Sequence, residues 1–161
     1  MIFITVGSQK FQFNRLLEAV DRQIEDGTIN EEVFAQIGVS DYRPRHYSYK
    51  DFLDREAFAQ AVSAADIIIT HGGTGAIIGA VKKNKKVIAV PRLAKYGEHV
   101  DDHQLQLIEQ FKELNLIYRC DDCDQIGEAV RAVRNLQFNS YESNTDRIIA
   151  DIDAFISTIG R

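Results

Sequence analysis

Two hydrophobic periods alternate along this chain. Segment 2–6, Ile-Phe-Ile-Thr-Val, is a β-branched and aromatic run that stops at Gly7, the pattern of a buried strand closing in a tight turn. Over 11–24 the apolar positions Phe13, Leu16, Leu17, Val20 and Ile24 fall at helical spacing, and Gly27 is expected to stop that helix. Segment 33–38 predicts a second strand, 46–49 a weaker short one, and 58–65 a helix. Segment 66–70 is an apolar strand that runs at once into His71-Gly72-Gly73-Thr74-Gly75. Next come a helix over 74–83, a strand over 86–91, a helix on Val100, Gln104, Leu107, Ile108, Phe111 and Leu114, and a strand over 116–118. Two helices, 123–135 and 143–158, close the chain. The last carries Ile148, Ile149, Ile152, Phe155, Ile156 and Ile159 on a face that must be buried.

Strands alternating with helices over the whole length predict an α/β fold: one Rossmann-like open parallel sheet with helices on both faces. Only two prolines and no polar linker interrupt it, so one domain over 1–161 is expected. Composition narrows the function classes. Apolar residues make up 45% of the chain, enough for a core and against wholesale disorder. A net charge of -5 argues against general polyanion binding, so no nucleic-acid partner is expected. No apolar run approaches the ~20 residues that span a bilayer, and the opening stretch is too short for a secretory leader. A cytoplasmic protein without direct membrane insertion is the expectation. Cys120 and Cys123 form a late C-x-x-C with no second ligand pair at zinc spacing, so two thiols in a reducing compartment are favoured over redox or metal use.

Open parallel sheets bind ligands beyond the carboxyl ends of their strands, which directs attention to the turns after Val6, Ile37, Thr70, Val90 and Tyr118. In His71–Gly75 three glycines let backbone approach a ligand closely. The helix that follows offers unpaired N–H groups and the positive end of its dipole, which together make a phosphate site. Thr74 is expected to cap that helix or to bind a ligand oxygen, and His71 to stand at the mouth of the loop as a donor to phosphate. The alternative is a tight turn whose glycines serve packing and whose histidine is satisfied by backbone. No Lys-Ser or Lys-Thr follows the glycines, so this is not a P-loop. A dinucleotide fingerprint would need a glycine at Ile78 and an earlier strand.

The turn over 91–104 is long and polar. Gln104, on the stripe of Val100, Leu107 and Phe111, reads as a partner for sugar hydroxyls. The blander reading has Asp101 and Asp102 complementing the helix dipole and Glu98 as an exposed neighbour of the cap. His99, Asp102 and His103 are metal-ligand types without a fixed geometry, and no metal is expected. Lys82, Lys83, Lys85 and Lys86 read as a solvated helix end. Tyr42, Tyr47, Tyr49 and Phe52 read as core or rim packing rather than as the walls of a base pocket.

Phe3-Ile4-Thr5-Val6-Gly7-Ser8 with Phe13-Asn14-Arg15-Leu16, then Thr70-His71-Gly72-Gly73-Thr74-Gly75, then Val90-Pro91 with Asp102-His103-Gln104 stand in this order. Together they resemble the C-terminal domain of glycosyltransferase family 28 over nearly the whole chain. The likeness extends to single-domain subunits of split enzymes, those of the eukaryotic dolichol-linked chitobiose transferase and of bacterial capsule and exopolysaccharide transferases. It implies half of a GT-B fold that binds a UDP-sugar and moves a hexose to a lipid-linked saccharide in capsule or exopolysaccharide synthesis. The diphosphate would rest on His71, Gly72, Gly73, Thr74 and Gly75, with Gly7 and Ser8 on the facing side, and Asp102, His103 and Gln104 would meet the sugar. No cofactor or bound metal is implied. The helix N-terminus would take the leaving group's charge, with His71 a candidate for stabilising it. The acceptor, and with it the catalytic base, would belong to a membrane-anchored partner subunit that recruits this chain to the inner face of the membrane. A non-catalytic enhancer of a partner transferase is the alternative. Two departures stand out: the family's ribose-binding glutamate is matched by Gly79, and an asparagine after the glutamine by Leu107 or Ile108. Ribose and sugar recognition are therefore expected to differ in detail.

Overall fold

The computed structural model describes residues 1–102 and 104–140, together with Ala150 and Ala154. One parallel sheet has the order β3-β2-β1-β4-β5-β6, with β1 at Ile2–Thr5, β2 at Val33–Gln36, β3 at Ser48–Lys50, β4 at Ile67–Thr70, β5 at Lys86–Ala89 and β6 at Tyr118–Arg119. The helices between and after them are α1 (Asn14–Glu25), α2 (Arg55–Ala64), α3 (Thr74–Lys82), α4 (Gln104–Glu113) and α5 (Ile126–Asn135). Strand residues alternate between the two faces, as a period of two requires. Ile2, Ile4, Ile67, Ile69 and Ile88 pack against Leu16, Leu17 and Val20 of α1 and Val130 and Val133 of α5. Phe3, Ile68 and Val87 face the other way, onto Val62 of α2, Ile77 and Val81 of α3, and Ile108 and Phe111 of α4. The expected open α/β sheet, clothed on both faces, is the observed one.

Some boundaries differ from expectation for identifiable reasons. Helix α2 starts at Arg55 rather than Phe58, because the Asp54 carboxylate caps it by accepting the Ala57 N–H at 2.8 Å. Helix α4 starts only at Gln104, so Val100 lies outside it and is 71% exposed. The lysines around β5 are not merely solvated. Lys86 Nζ donates to the carbonyls of Val133, Arg134 and Leu136 at the end of α5, and Lys85 Nζ to that of Ser63 in α2. Each satisfies carbonyls orphaned at a helix C-terminus. Cys120 and Cys123 are unlinked and buried, and burial pushes their thiols up to about 12 and about 11, so both are protonated at neutral pH. The expected closing helix over 143–158, with its isoleucine face, lies outside the described residues.

One polar anchor holds the approach to β3. The buried Asp21 carboxylate accepts from Tyr42 Oη at 2.6 Å, from the backbone N–H groups of Arg45 and His46 at 2.8 Å each, and faces His46 Nδ1 at 3.0 Å. Burial alone would raise this carboxyl, but the hydrogen bonds from Tyr42, Arg45 and His46 outweigh it and hold the pKa below the usual range. Its stabilisation is therefore present above the unfolded carboxyl's pKa and is lost as pH falls through the lower folded value. Asp21→Asn, which presents an NH2 group to existing donors, is expected to cost about 2 kcal/mol in urea denaturation at neutral pH. That cost should shrink as the acid transition is approached.

Candidate functional site

Strand β1 lies between β2 and β4, so the chain leaves the sheet in opposite directions after β1 and after β4: α1 covers one face and α3 the other. Such a switch point opens a crevice at the carboxyl ends of the strands. Here it is a cleft of ≈ 540 Å³ whose lining includes Gly7, Ser8, His71, Gly73, Thr74 and Gly75. The structure thus brings together the residues singled out on the two loops, with Gly72 directly behind them. Gly72 has φ +89, and a Cβ there would lie 2.6 Å from Ile108 Cδ1 of α4.

His71 explains two of the glycines. Its ring is slotted between Gly7 and Gly73. A Cβ on Gly7 would lie 2.7 Å from its Cε1, and one on Gly73 would lie 2.5 Å from its Nε2. Rather than standing at the mouth of the loop, the side chain is 5% exposed, because two residues without side chains leave room for it inside. Its Nδ1 has only long contacts, 3.4 Å to the Thr5 carbonyl and 3.4 Å to Thr70 Oγ1. Burial, and then the positive charge of Arg92, push the imidazole down to about 4, so it is neutral at physiological pH. A histidine lowered from its ordinary 6.5 leaves the folded chain short of a proton that the unfolded chain binds. Stability is therefore full above 6.5 and falls as pH drops toward 4. Comparing urea denaturation at pH 7.5 and pH 5, His71→Gln is expected to lose that part of the difference, roughly 1–2 kcal/mol.

The other wall is the start of α3. Gly73, extended at φ -67 and ψ 132, is the N-cap and provides no side-chain hydrogen bond. Thr74 is the first helical residue, so its hydroxyl is not the cap. The first helical bond runs from the Ile77 N–H to the Gly73 carbonyl at 3.1 Å, which leaves the N–H groups of Thr74, Gly75 and Ala76 ahead of it. No acidic residue lies in this first turn to compete for them. The cleft therefore has what an anion needs: a helix end with free donors, glycine backbone on both sides and a neutral imidazole edge.

The second set of expected residues is placed differently. Asp102 and Gln104 are not among the residues lining this cleft. Asp102 Oδ1 accepts from the Ala94 N–H at 3.0 Å and ties down its own loop. Gln104 opens α4, one turn before the Ile108 that packs on Gly72, and its Oε1 is buried without a partner. His103 lies outside the described residues. His99 faces Asp101, whose N–H donates to its Nδ1 at 3.4 Å. Glu98 is the clearest correction: expected to be exposed, it has no exposure at all, and Arg15 grips it through two hydrogen bonds at 2.9 and 3.0 Å.

Cleft residues that the sequence did not assign to the site include Gln9, Gln36, Leu53, Arg55 and Phe58. Gln36 Oε1 accepts the Leu53 N–H at 2.8 Å and fixes the segment after β3. Of the four aromatics weighed as a base wall, Phe52 lines the cleft, whereas Tyr42, Tyr47 and Tyr49 pack in the α1-side core. The rule about carboxyl strand ends, extended to the short β3, points to this segment.

A family model described as the glycosyltransferase family 28 C-terminal domain matches residues 1–157. The chain belongs to this family. Curated relatives of this family 28 chain carry one name, "UDP-N-acetylglucosamine transferase subunit ALG13". The Homo sapiens protein is 26% identical over 137 residues, 73% of this chain and 11% of that protein. The Candida albicans protein is 37% identical over 54 residues, 34% of this chain and 17% of that protein. The chain thus spans a small part of the length of these relatives. Among solved structures, the calicheamicin glycosyltransferase CalG4 superposes with a TM-score of 0.63 at 17% identity, covering 98% of this chain and 38% of CalG4. Acinetobacter baumannii MurG superposes with a TM-score of 0.55 at 20% identity, covering 95% of this chain and 49% of MurG. At these identities the likeness is one of fold, to one part of a GT-B glycosyltransferase. Among the described residues no helix is long and apolar enough to cross a membrane.

Proposed function

We propose that this chain is the donor-binding half of a UDP-sugar-dependent glycosyltransferase. The observation that carries this reading is the junction of the free N–H groups at the start of α3 with His71, packed between Gly7 and Gly73, in one cleft of a family 28 chain. In this reading the diphosphate sits on His71–Gly75 and faces Gly7 and Ser8. The charge that builds on the departing UDP is met by the Thr74, Gly75 and Ala76 N–H groups and the helix dipole, with no resident metal, and His71 stabilises the leaving group from its slot. The base lies between Phe52, Leu53 and Arg55. The sugar points toward the N-terminus of α4, where Gln104 has an unspent oxygen and Asp102 and His103 are its neighbours.

N-acetylglucosamine is the first sugar to test, since the matched relatives are named for it. Those names lend no support to a capsule or exopolysaccharide setting; a lipid-linked saccharide remains the proposed acceptor class. The word "subunit" in those names supports the placement of the acceptor and the catalytic base on a membrane-anchored partner, which would bring this chain to the cytoplasmic face of a membrane. The test is transfer of labelled sugar from UDP-N-acetylglucosamine to a lipid-linked acceptor, by the chain alone and after addition of membranes from its source cells. Transfer that needs both is the expected result. Full turnover by the isolated chain would overturn the two-subunit reading. Transfer by membranes in which a Gly73→Ala chain works as well as the native one would favour the enhancer role.

A further inference from the structure

The largest fully buried side chain among the described residues is Arg92, 1% exposed, just after β5. A buried guanidinium is costly unless its donors are used, and here both terminal nitrogens are spent on main-chain carbonyls, while Nε is buried without a partner. Its Nη1 donates to the carbonyls of Phe11 and Gln12 at 3.0 Å each and of Glu98 at 3.1 Å, and its Nη2 to that of Val6. Its charged plane lies 5.1 Å from the centre of the Phe13 ring. Val6, Phe11 and Gln12 bracket the turn that carries Gly7 and Ser8, so one side chain sets the shape of that turn from behind. The charge of the Glu98 carboxylate near by favours the Arg92 cation, but its oxygens are bonded elsewhere. Glu98 gives both oxygens to Arg15 and one also to the Leu93 N–H at 2.9 Å, while Arg92 takes only the Glu98 carbonyl. Two guanidinium groups thus share one carboxylate.

We propose that Arg92 is a positioning residue for the anion site. It holds the Gly7–Ser8 turn against His71 through the carbonyls of Val6, Phe11 and Gln12, and keeps behind the seat a positive charge that the shared Glu98 carboxylate only partly offsets. The proposal rests on the diphosphate reading above. Where no metal takes the charge of a leaving diphosphate, a buried, immobilised guanidinium adds to the N–H groups and dipole of α3 without reorganisation. The charge acts on His71 already: Arg92 and, more weakly, His99 disfavour the imidazolium, the Thr5 carbonyl favours it, and burial dominates all three. Burial lowers Arg92 itself to about 10, which leaves it charged at neutral pH.

The test compares wild type, Arg92→Lys and Arg92→Met by calorimetric titration with UDP and by NMR titration of the His71 ring, assigned against a His71→Gln spectrum. Arg92→Met is expected to bind UDP about tenfold more weakly or worse, and its His71 to titrate at higher pH than in wild type. Arg92→Lys keeps the charge but cannot span the carbonyls, so His71 should titrate as in wild type while affinity falls about threefold. A folded Arg92→Met with wild-type affinity and an unmoved His71 titration would overturn the proposal. Should the methionine variant fail to fold, the lysine variant decides, and wild-type UDP affinity there would count against it. If wild type itself binds no UDP, the diphosphate reading fails separately. The His71 titration in Arg92→Met then still decides whether the charge reaches the seat: a rise supports it and no change refutes it.

Discussion

Gly73→Ala is expected to weaken UDP binding at least about 30-fold, roughly 2 kcal/mol, the size of one charge-assisted hydrogen bond lost. The backbone at residue 73 suits alanine, with φ -67, so the main chain is not the obstacle. The obstacle is the ring behind it, because the added Cβ would stand 2.5 Å from His71 Nε2 and 2.7 Å from Cε1. His71 cannot retreat toward Gly7, where the same ring already fills the place a side chain would take. It has to swing out of its slot, toward the seat of the anion. Gly79→Ala is the control: a Cβ there meets nothing within 4 Å, and residue 79 is not among those lining the cleft. Calorimetric titration with UDP reads both variants. Equal affinities for Gly73→Ala and wild type would mean that the slot does not shape the site.

Glu98→Ala is expected to have the largest effect on stability, about 3–5 kcal/mol, as removal of one partner from a buried ion pair does. The carboxylate has no exposure, and it joins α1, through Arg15, to the loop after β5, through the Leu93 N–H. Without it, the Arg15 side chain, only 24% exposed, is left with the Pro91 carbonyl and Cys123 Sγ, and the fully buried Arg92 with carbonyls and no carboxylate near by. Glu98→Gln keeps the shape and part of the hydrogen bonding, so its loss should be smaller. Removing both partners in Arg15→Met with Glu98→Leu should recover part of the single-variant loss. Urea denaturation of the four chains measures this, and a Glu98→Ala loss under about 1 kcal/mol would mean that solvent reaches the pair.

How much of this could be read from the chain depended on whether the signal was periodic. The four-residue strands β1 and β4 and the glycine turn into α3 stand where the apolar runs and His71-Gly72-Gly73-Thr74-Gly75 put them, because β-branched runs ending in glycine have few alternatives in a parallel sheet. The rule about carboxyl strand ends pointed to the Gly7 and His71 turns, and the family resemblance implied that they face each other across one cleft. What was misread was polar and long-range. Glu98 looked like a surface acid because its partner, Arg15, is 83 positions away in sequence. Arg92 carried no signal in the sequence, and its burial follows from carbonyls of a turn that only the fold brings near. Val100 was placed on a helix by period alone, whereas the short turn at Ala94–Tyr96 and Gly97 at φ +69 carry the chain elsewhere before α4 begins. His71 was foreseen as a residue of the site but not as buried, since nothing in its own neighbourhood says that Gly7 makes half of its slot.

The most direct test of the donor-half reading is an NMR titration of the ¹⁵N-labelled chain with UDP, following backbone amides. The expected result is saturable binding whose largest shifts fall on Thr74, Gly75 and Ala76, the three N–H groups ahead of the first bond of α3, and on Gly7 and Ser8 across the cleft. Saturable binding with those amides unmoved, or no binding by the chain either alone or with its membrane partner, would contradict it.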